Sequence, residues 1–585
     1  MTSRTDAPAA ELARDWWKSA VAYQVYPRSF ADSDGDGIGD IPGIRRHLDH
    51  LEELGVDVLW LSPVYRSPMD DNGYDISDYH DVDPLFGTLE DLDGLIADLH
   101  ARGMKLVMDL VVNHTSSAHP WFVESRRSTD DPKRDWYWWR PPRPGHEGGA
   151  PGAEPNDWVS VFSGPGWEWD GRTSEYYLHI FATSQPDLNW ENPEVRQAVY
   201  SMMNWWLDRG VDGFRMDVIN LISKPVTDEP PGLGEMIYVL NGPKVHDYLR
   251  EMYDAVFAGR PPGLLNVGET PGTPVEQARL YTDPERHELD MVFQFEHVDL
   301  DSGPGGKWDV VPMTVRHLKD SFGRWQAGLA DVGWNSLYLG NHDQPRCVSR
   351  YGDDRPEHRV RSAKALATVL HLHRGTPYVY QGDELGMTNT VLRTVDDCRD
   401  IESVNAYRAM VAGGTDPEDA MARIRYKSRD NARTPMQWDD SEHAGFTTGS
   451  PWLAANPNHT EINAAAQRKD PDSVFHHYRQ LIALRHDDPV VAHGDFTMLL
   501  PEHEQVYAFE RRLGDRRLLV VANLSETRTS SPTCPRPRTG RAPSSCSATP
   551  ACPPTTTGSC WAPGRPGSCA GPDRRPCPEV AGPNR

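Results

Sequence analysis

EVRQAVYSMMNWWLDRG (194–210) and, after a two-residue break, GFRMDVIN (213–220) read as one unit, a helix that feeds a strand. In the first segment apolar residues recur at three- and four-residue spacing and the run stops at Gly210, a residue suited to a helix end. The second is a short β-like run that ends on polar groups, with Arg215 and Asp217 two residues apart and therefore on one face. Outward from this unit the alternation repeats in both directions. AVAYQVYP (20–27), VDVLWLSPV (56–64), KLVMDLVVN (105–113), LLNVGE (264–269), LDMVFQFE (289–296), NSLYLGNHD (335–343) and TPYVYQGDE (376–384) are further strand candidates. Between them, LEDLDGLIADLHARG and HRVRSAKALATVLHLHRG carry helical periodicity. Strands alternating with helices imply parallel βα units, and eight of them predict an α/β fold of the closed (β/α)8 TIM-barrel type.

Two excursions interrupt the alternation. Residues 115–185, rich in Trp, Pro and Gly, are too long for a βα loop and predict an inserted subdomain after strand 3 that walls one side of the site. Residues 386–470 form a second excursion after strand 8, before SVFHHYRQLIALRH, which reads as the closing helix. VYAFERRL and RRLLVVANLS then predict the first strands of a β-sandwich. The expected divisions are barrel over 16–114, subdomain over 115–185, barrel again over 186–490 and a small β domain over 491–525. From 526 to 585 the chain is almost entirely Pro, Arg, Ser, Thr, Gly, Ala and Cys, with Trp561 and Val580 its only large apolar residues. That composition cannot complete a sandwich. It predicts a truncated β domain and an aberrant, disordered tail of the kind a shift of reading frame produces.

Composition narrows the function. A net charge of -26 repels nucleic acid and anionic membranes, so a neutral substrate fits better. Nineteen Trp and 21 Tyr supply aromatics for a core and for ligand stacking. The first residues lack an apolar targeting segment and no apolar window long enough to span a bilayer follows, which predicts a cytoplasmic protein without membrane partners. Only Cys347 and Cys398 precede residue 530, too few for a disulfide framework. The sequence has no phosphate-binding GxxxxGK[ST] loop and no zinc-ligand spacing in the barrel, so no organic cofactor is expected.

Catalytic groups of (β/α)8 enzymes lie at the C-terminal ends of strands. Asp109 and His114 bracket the end of the third, Arg215 and Asp217 end the fourth, Glu269 the fifth, and His342 and Asp343 the seventh. A lone Asp there is more often a cap. Several carboxylates converging on one mouth would repel one another without a role, and glycoside cleavage supplies one. A retaining glycosidase needs one carboxylate to attack the anomeric carbon and a second to protonate the leaving oxygen and then activate water. Arg215 favours an ionised Asp217, which makes Asp217 the nucleophile candidate. Glu269, against an apolar strand, is the acid/base candidate. Asp343 would bind sugar hydroxyls, and His114 and His342 would donate to them.

DLVVNH, GFRMDVIN, NVGET and NHDQ, in this order, resemble the four sequence signatures of the α-amylase family, glycoside hydrolase family 13. MDDNGYDISDY, QPDLNWENP, MVFQFEHVDLDSG, GWNSLYLGNHDQPR, YQGDELGMTN and RDNARTPMQWD are similar to its oligo-1,6-glucosidase branch, over roughly residues 16 to 525. The resemblance implies Asp217 as nucleophile, Glu269 as acid/base and Asp343 as transition-state stabiliser. It also implies that Asp71 and Arg429 hold the outer hydroxyls of the terminal glucose, that Tyr74 stacks on it, and that Gln185 lines the pocket. Phe162 and Phe181 either line the pocket too or belong to the core. Val218, beside the nucleophile, and QPDLN are similar to the α-1,6 branch. The resemblance thus implies exo-hydrolysis of terminal α-1,6-linked, and also α-1,4-linked, glucose from a small oligosaccharide, by a monomer or weak homo-oligomer.

DSDGDGIGD spaces Asp32, Asp34, Asp36 and Asp40 around glycines, so that their oxygens, with the Ile38 carbonyl, could surround a hard cation. The glutamate that closes an EF-hand loop is missing. The alternative is a plain acidic turn, but the family has such a loop after its first strand, and a structural Ca2+ is expected. Two competing functions remain. A sucrose isomerase or other transglucosylase would use the same carboxylates, but the charged segment of sucrose isomerases is absent near residue 325, where FGRWQ stands. A transporter heavy-chain-like binding protein would need a membrane anchor and would lose the catalytic carboxylates, which are present here.

Overall fold

A computed structural model describes residues 15–226 and 239–525. The expected tail over 526–585 lies outside the described residues. Eight parallel strands make the central sheet: β1 (Ala22–Val25), β2 (Val58–Leu61), β3 (Lys105–Leu110), β4 (Gly213–Met216), β5 (Leu265–Glu269), β6 (Met291–Phe293), β7 (Ser336–Leu337) and β8 (Thr376–Tyr380). They run in the order β6-β5-β4-β3-β2-β1-β8-β7, and a parallel bridge between Val292 and Asn335 joins β6 to β7 and closes the barrel. Each falls within a strand read from the sequence.

Two apolar layers explain why these segments are strands buried on both faces. Ala22, Val58, Trp60, Val107, Leu265, Val267, Met291 and Phe293 pack together as one cluster. Tyr23, Val25, Leu59, Leu61, Leu106, Met108, Phe214 and Met216 belong to another, shared with the helices. Alternate residues of a strand point to opposite faces, so the first cluster fills the barrel and the second faces the helical ring. The helix Leu89–Ala101 opens on a Thr88–Asp91 capping box, and Pro193–Arg209 opens on Asn192 and ends at Gly210 with φ 112°. Only glycine takes that angle without strain.

The subdomain after β3 is built on a three-stranded antiparallel sheet with Glu175–Leu178 in the middle, between Trp139–Arg140 and Trp167–Asp170. Antiparallel bridges His114↔Asp187 and Tyr137↔Leu188 bring the chain back to the barrel slightly beyond residue 185. The excursion after β8 carries the helices Ile401–Ala412, Pro417–Lys427 and Asp430–Arg433, and Val474–Asp487 follows as the expected closing helix. The C-terminal unit is a three-stranded antiparallel sheet, β9 (Asp495–Leu499), β10 (Val506–Leu513) and β11 (Arg516–Asn523). β9 was not expected: its residues are only partly buried, so it lacks the apolar run that marks the other strands.

Candidate active site

Barrel register brings the first four polar groups together. Asp109 pairs across the sheet with Arg215, and Met216 with Gly268, which sets Asp217 beside Glu269 one step further along. All four share the parity of the barrel-filling residues, so their side chains turn inward at the C-terminal mouth. There Arg215 Nη1 donates to Asp109 at 2.7 Å and to Asp217 at 2.6 Å, while Nη2 pairs with Glu269. Asp109 Oδ2 also accepts from Trp60 Nε1 at 2.9 Å and from Tyr74 Oη at 3.2 Å. Val218, immediately after the nucleophile candidate, has φ 35°, an angle that costs a β-branched residue on the order of 1–3 kcal/mol. This turn aims its amide at Glu269 Oε2, 3.1 Å away.

Three carboxylates around one guanidinium cannot all be ionised without cost. Burial pushes both Asp217 and Glu269 above the ordinary carboxylate range and Arg215 pulls both back, while Glu269 raises Asp217 and Asp343 raises Glu269. Asp217 and Glu269 therefore form a dyad whose carboxyls hold a proton more tightly than free ones do. Asp343 is different. Burial alone would raise it, but His342, Arg429 and Arg433 hold it well below the usual range, so it is the fixed anion of the mouth.

The outer wall is a second network of charge. Arg433 Nη2 donates to Asp343 Oδ1 at 2.8 Å, Arg429 Nη1 reaches the same oxygen at 3.3 Å, and Arg429 Nη2 reaches Asp71 at 3.2 Å. Asp400 anchors Arg429 through Nε at 2.8 Å. Gln185 Nε2 donates to Asp71 at 3.1 Å and lies 3.2 Å from His114 Nε2. Tyr74 stacks on His342 with ring centroids 5.1 Å apart and planes within 5°. Phe162 lies under the Arg429 guanidinium at 5.1 Å and edge-on to Phe181, which in turn meets the His114 ring at 5.0 Å. Phe162 thus touches the mouth through Arg429 and Phe181 through His114, while Phe181 also packs against the subdomain cluster. Every sugar-site residue expected from the sequence is gathered at this mouth.

A model of the α-amylase catalytic domain matches residues 24–494. The chain belongs to the α-amylase family. Among curated α-amylase-family proteins, the oligo-1,6-glucosidase of Parageobacillus thermoglucosidasius is 57% identical over 523 residues, covering 88% of this chain and 91% of that protein. The oligo-1,6-glucosidase of Halalkalibacterium halodurans is 54% identical, with 88% and 91% covered. Of solved α-amylase-family structures, the trehalulose synthase of Pseudomonas mesoacidophila aligns with a TM-score of 0.82 at 45% identity, over 89% of this chain and 91% of that one. The chain is a glycoside hydrolase of this family.

Within this α-amylase-family mouth, three groups escaped sequence reasoning. Arg433 stands four residues after Arg429 on the same short helix, and that spacing in RDNARTP was the available signal. Asp400 arrives from the N-terminus of another helix of the excursion, with no local signal. Lys224, in the apolar stretch after β4, is buried and donates to Asn113 Oδ1 at 2.6 Å. A lysine that interrupts INLIS was visible in the sequence.

The acidic loop after β1 lies apart from these groups. Ligand oxygens of Asp32, Asp34 and Asp40 lie within 4.8 Å of one another. Asp36 stays outside that group, and its carboxylate accepts from the Ile38 amide at 2.8 Å. Asp32 accepts from the amides of Asp34, Gly35 and Gly37, and Asp40 accepts from Ser33 and caps a helix through Gly43. Among the described residues, no helix is long and apolar enough to cross a membrane.

Proposed function

We propose that the chain is a retaining, exo-acting α-glucosidase that cleaves terminal α-1,6-linked glucose, and α-1,4-linked glucose less well, from short oligosaccharides. The observation that carries this reading is the single Arg215 guanidinium that holds Asp217 and Glu269 on its two ends. Such a fork keeps the carboxyls close, as the separation of about 5 to 5.5 Å in retaining enzymes demands. Asp217 attacks the anomeric carbon while Glu269 gives its proton to the leaving oxygen. Glu269, now ionised, takes a proton from water, which attacks the glucosyl ester and releases glucose with its original anomeric configuration. Asp343, permanently anionic, accepts hydrogen bonds from ring hydroxyls and favours the oxocarbenium-like transition state.

Exo action would follow from the Arg429 bridge, which ties Asp71 to Asp343 across the mouth and would stop a glucan chain from running through. Asp71, Gln185, His114 and His342 would hold that residue's hydroxyls, Tyr74 would stack on it, and Phe162 and Phe181 would give the wall an apolar surface. Val218, packed with the subdomain cluster of Trp138, Trp158 and Ile180, would border the next sugar. The relatives named oligo-1,6-glucosidase support α-1,6 specificity, at higher identity than the trehalulose synthase.

The acidic loop would hold a structural Ca2+ through Asp32, Asp34 and Asp40, with Asp36 and the Ile38 carbonyl as further oxygens. Three carboxylate oxygens within 4.8 Å fit one cation with bonds of about 2.3–2.6 Å. A reducing, cytoplasmic setting fits the buried free thiols of Cys347 and Cys398 among the described residues. Product analysis on isomaltose, maltose, panose and sucrose tests the function. Glucose released fastest from isomaltose is expected. A preference for maltose would remove the linkage assignment, and conversion of sucrose to an isomer without net hydrolysis would replace the hydrolase by a transglucosylase.

A further inference from the structure

His114 turns Nε2 towards Tyr74 and Gln185 of the candidate sugar site, and which of its two ring nitrogens carries the proton decides whether it donates or accepts there. Burial pushes it down to about 3, so the ring is neutral and exists as one tautomer or the other. Around Nε2 the surroundings do not choose: the Tyr74 carbonyl, an acceptor, lies at 3.1 Å, and the Gln185 amide nitrogen at 3.2 Å. The orientation of Gln185 is fixed by its own Oε1, which accepts from the Ala182 amide at 3.0 Å. The choice falls to Nδ1, whose neighbour is the side-chain amide of Asn113 at 3.2 Å.

An amide can turn either its oxygen or its nitrogen to a neighbour. Here a third group decides. Lys224 is buried, and its ammonium, which only donates, meets Asn113 at 2.6 Å, so the atom facing it must be Oδ1. Asp187, 3.4 Å from the same ammonium, supplies the counter-charge and accepts from Asn113 Nδ2 at 3.3 Å. Both partners therefore demand that Asn113 turn its NH2 towards His114, and an N–H donor there requires a lone pair on Nδ1.

We propose that Lys224 and Asp187, acting through Asn113, lock His114 as the neutral Nε2–H tautomer, so that on the side of the sugar site it is a permanent donor, to the Tyr74 carbonyl and to a sugar oxygen placed beside it. Lys224, Asp187 and Asn113 are positioning residues in this account. The tautomer stands on their geometry alone; its kinetic consequence rests on the sugar-facing role of His114 given under Proposed function.

The test is the 15N spectrum of histidine-labelled full-length enzyme, with His114 assigned by the signal lost in His114→Asn. Wild type is expected to show a pyridine-type Nδ1 and a pyrrole-type Nε2, unchanged from about pH 5 to 8, where an unperturbed histidine titrates. Asn113→Asp keeps a partner for Lys224 but presents only acceptors to Nδ1. It should convert Nδ1 to the pyrrole type and lower kcat/KM roughly tenfold to a hundredfold. Lys224→Met should release the amide and give mixed tautomers; if it fails to fold, Asn113→Asp still decides. A pyrrole-type Nδ1 in wild type, or a His114 signal unchanged in Asn113→Asp, overturns the relay. If the tautomer switches and kcat/KM does not move, the relay stands and the sugar-facing role of His114 falls.

Discussion

The molecule gathers carboxylates in two places, the barrel mouth and the loop over 32–40, and holds them by different means. At the mouth the partners are side chains: Arg215 serves Asp109, Asp217 and Glu269, while Arg429 and Arg433 serve Asp343. In the loop they are backbone amides and the Thr447 hydroxyl, which together outweigh burial and keep Asp32 below its ordinary range. Burial differs in degree: Asp109, Asp217 and Glu269 are buried and paired with a whole opposing charge, whereas in the loop only Asp40 is buried, Asp32 is partly exposed and Asp34 and Asp36 are exposed, so turn amides and water suffice there. The mouth thus stores electrostatic energy that chemistry can use, and the loop stores conformation.

If that contrast is right, substitutions at the mouth cost activity and those in the loop cost stability. Asp217→Asn should have the largest effect, a loss of roughly ten-thousandfold or more in kcat with the fold intact by circular dichroism, because an amide cannot form the glycosyl ester. Residual activity above a few per cent would break the assignment. Glu269→Gln should lose about a hundredfold to ten-thousandfold on oligosaccharides, yet recover on aryl glucosides whose leaving groups need no proton. The pH profile gives a second check. Rising pH strips the proton that burial and Asp343 keep on the dyad, so wild-type kcat/KM should fall on the alkaline side. In Glu269→Gln, assayed on an activated aryl glucoside, that limb should vanish.

Smaller effects sharpen the contrast. Val218→Thr keeps the β-branched shape but adds a hydroxyl that can bond a sugar oxygen or water, so the isomaltose-to-maltose ratio of kcat/KM should shrink by roughly tenfold to a hundredfold. An unchanged ratio would remove Val218 from linkage choice. In the loop, chelation should lower Tm by roughly 2 to 6 °C through loss of a ligand that binds only the folded chain. Asp34→Ala should abolish that response and leave kcat almost untouched. A Tm indifferent to calcium in wild type would reduce the loop to an acidic turn.

Most of the barrel was legible because its strands are buried on both faces and read as continuous apolar runs broken by amphipathic helices. Asp109, Arg215, Asp217 and Glu269 were legible for the same reason: strand parity and parallel register carry them from sequence to mouth. Asp400 was not, because it reaches the site from a separate helix through a contact that no local period encodes, and Arg433 and Lys224 offered only a four-residue spacing and a lone lysine after an apolar stretch. β9 was missed because a half-exposed strand has little apolar pattern to display. The resemblance of RDNARTP to the family supplied Arg429, whose place across the pocket spacing alone could not have fixed.

Under the proposed mechanism, two carboxyls on one guanidinium act as nucleophile and acid/base of a retaining reaction. Proton NMR of the glucose released from an aryl α-glucoside, whose aglycone adds no second sugar, recorded before mutarotation, tests this most directly. The α-anomer is expected first, with the β-anomer growing in only later. A β-anomer formed first would mean direct attack by water and would contradict the assignment of Asp217 as nucleophile.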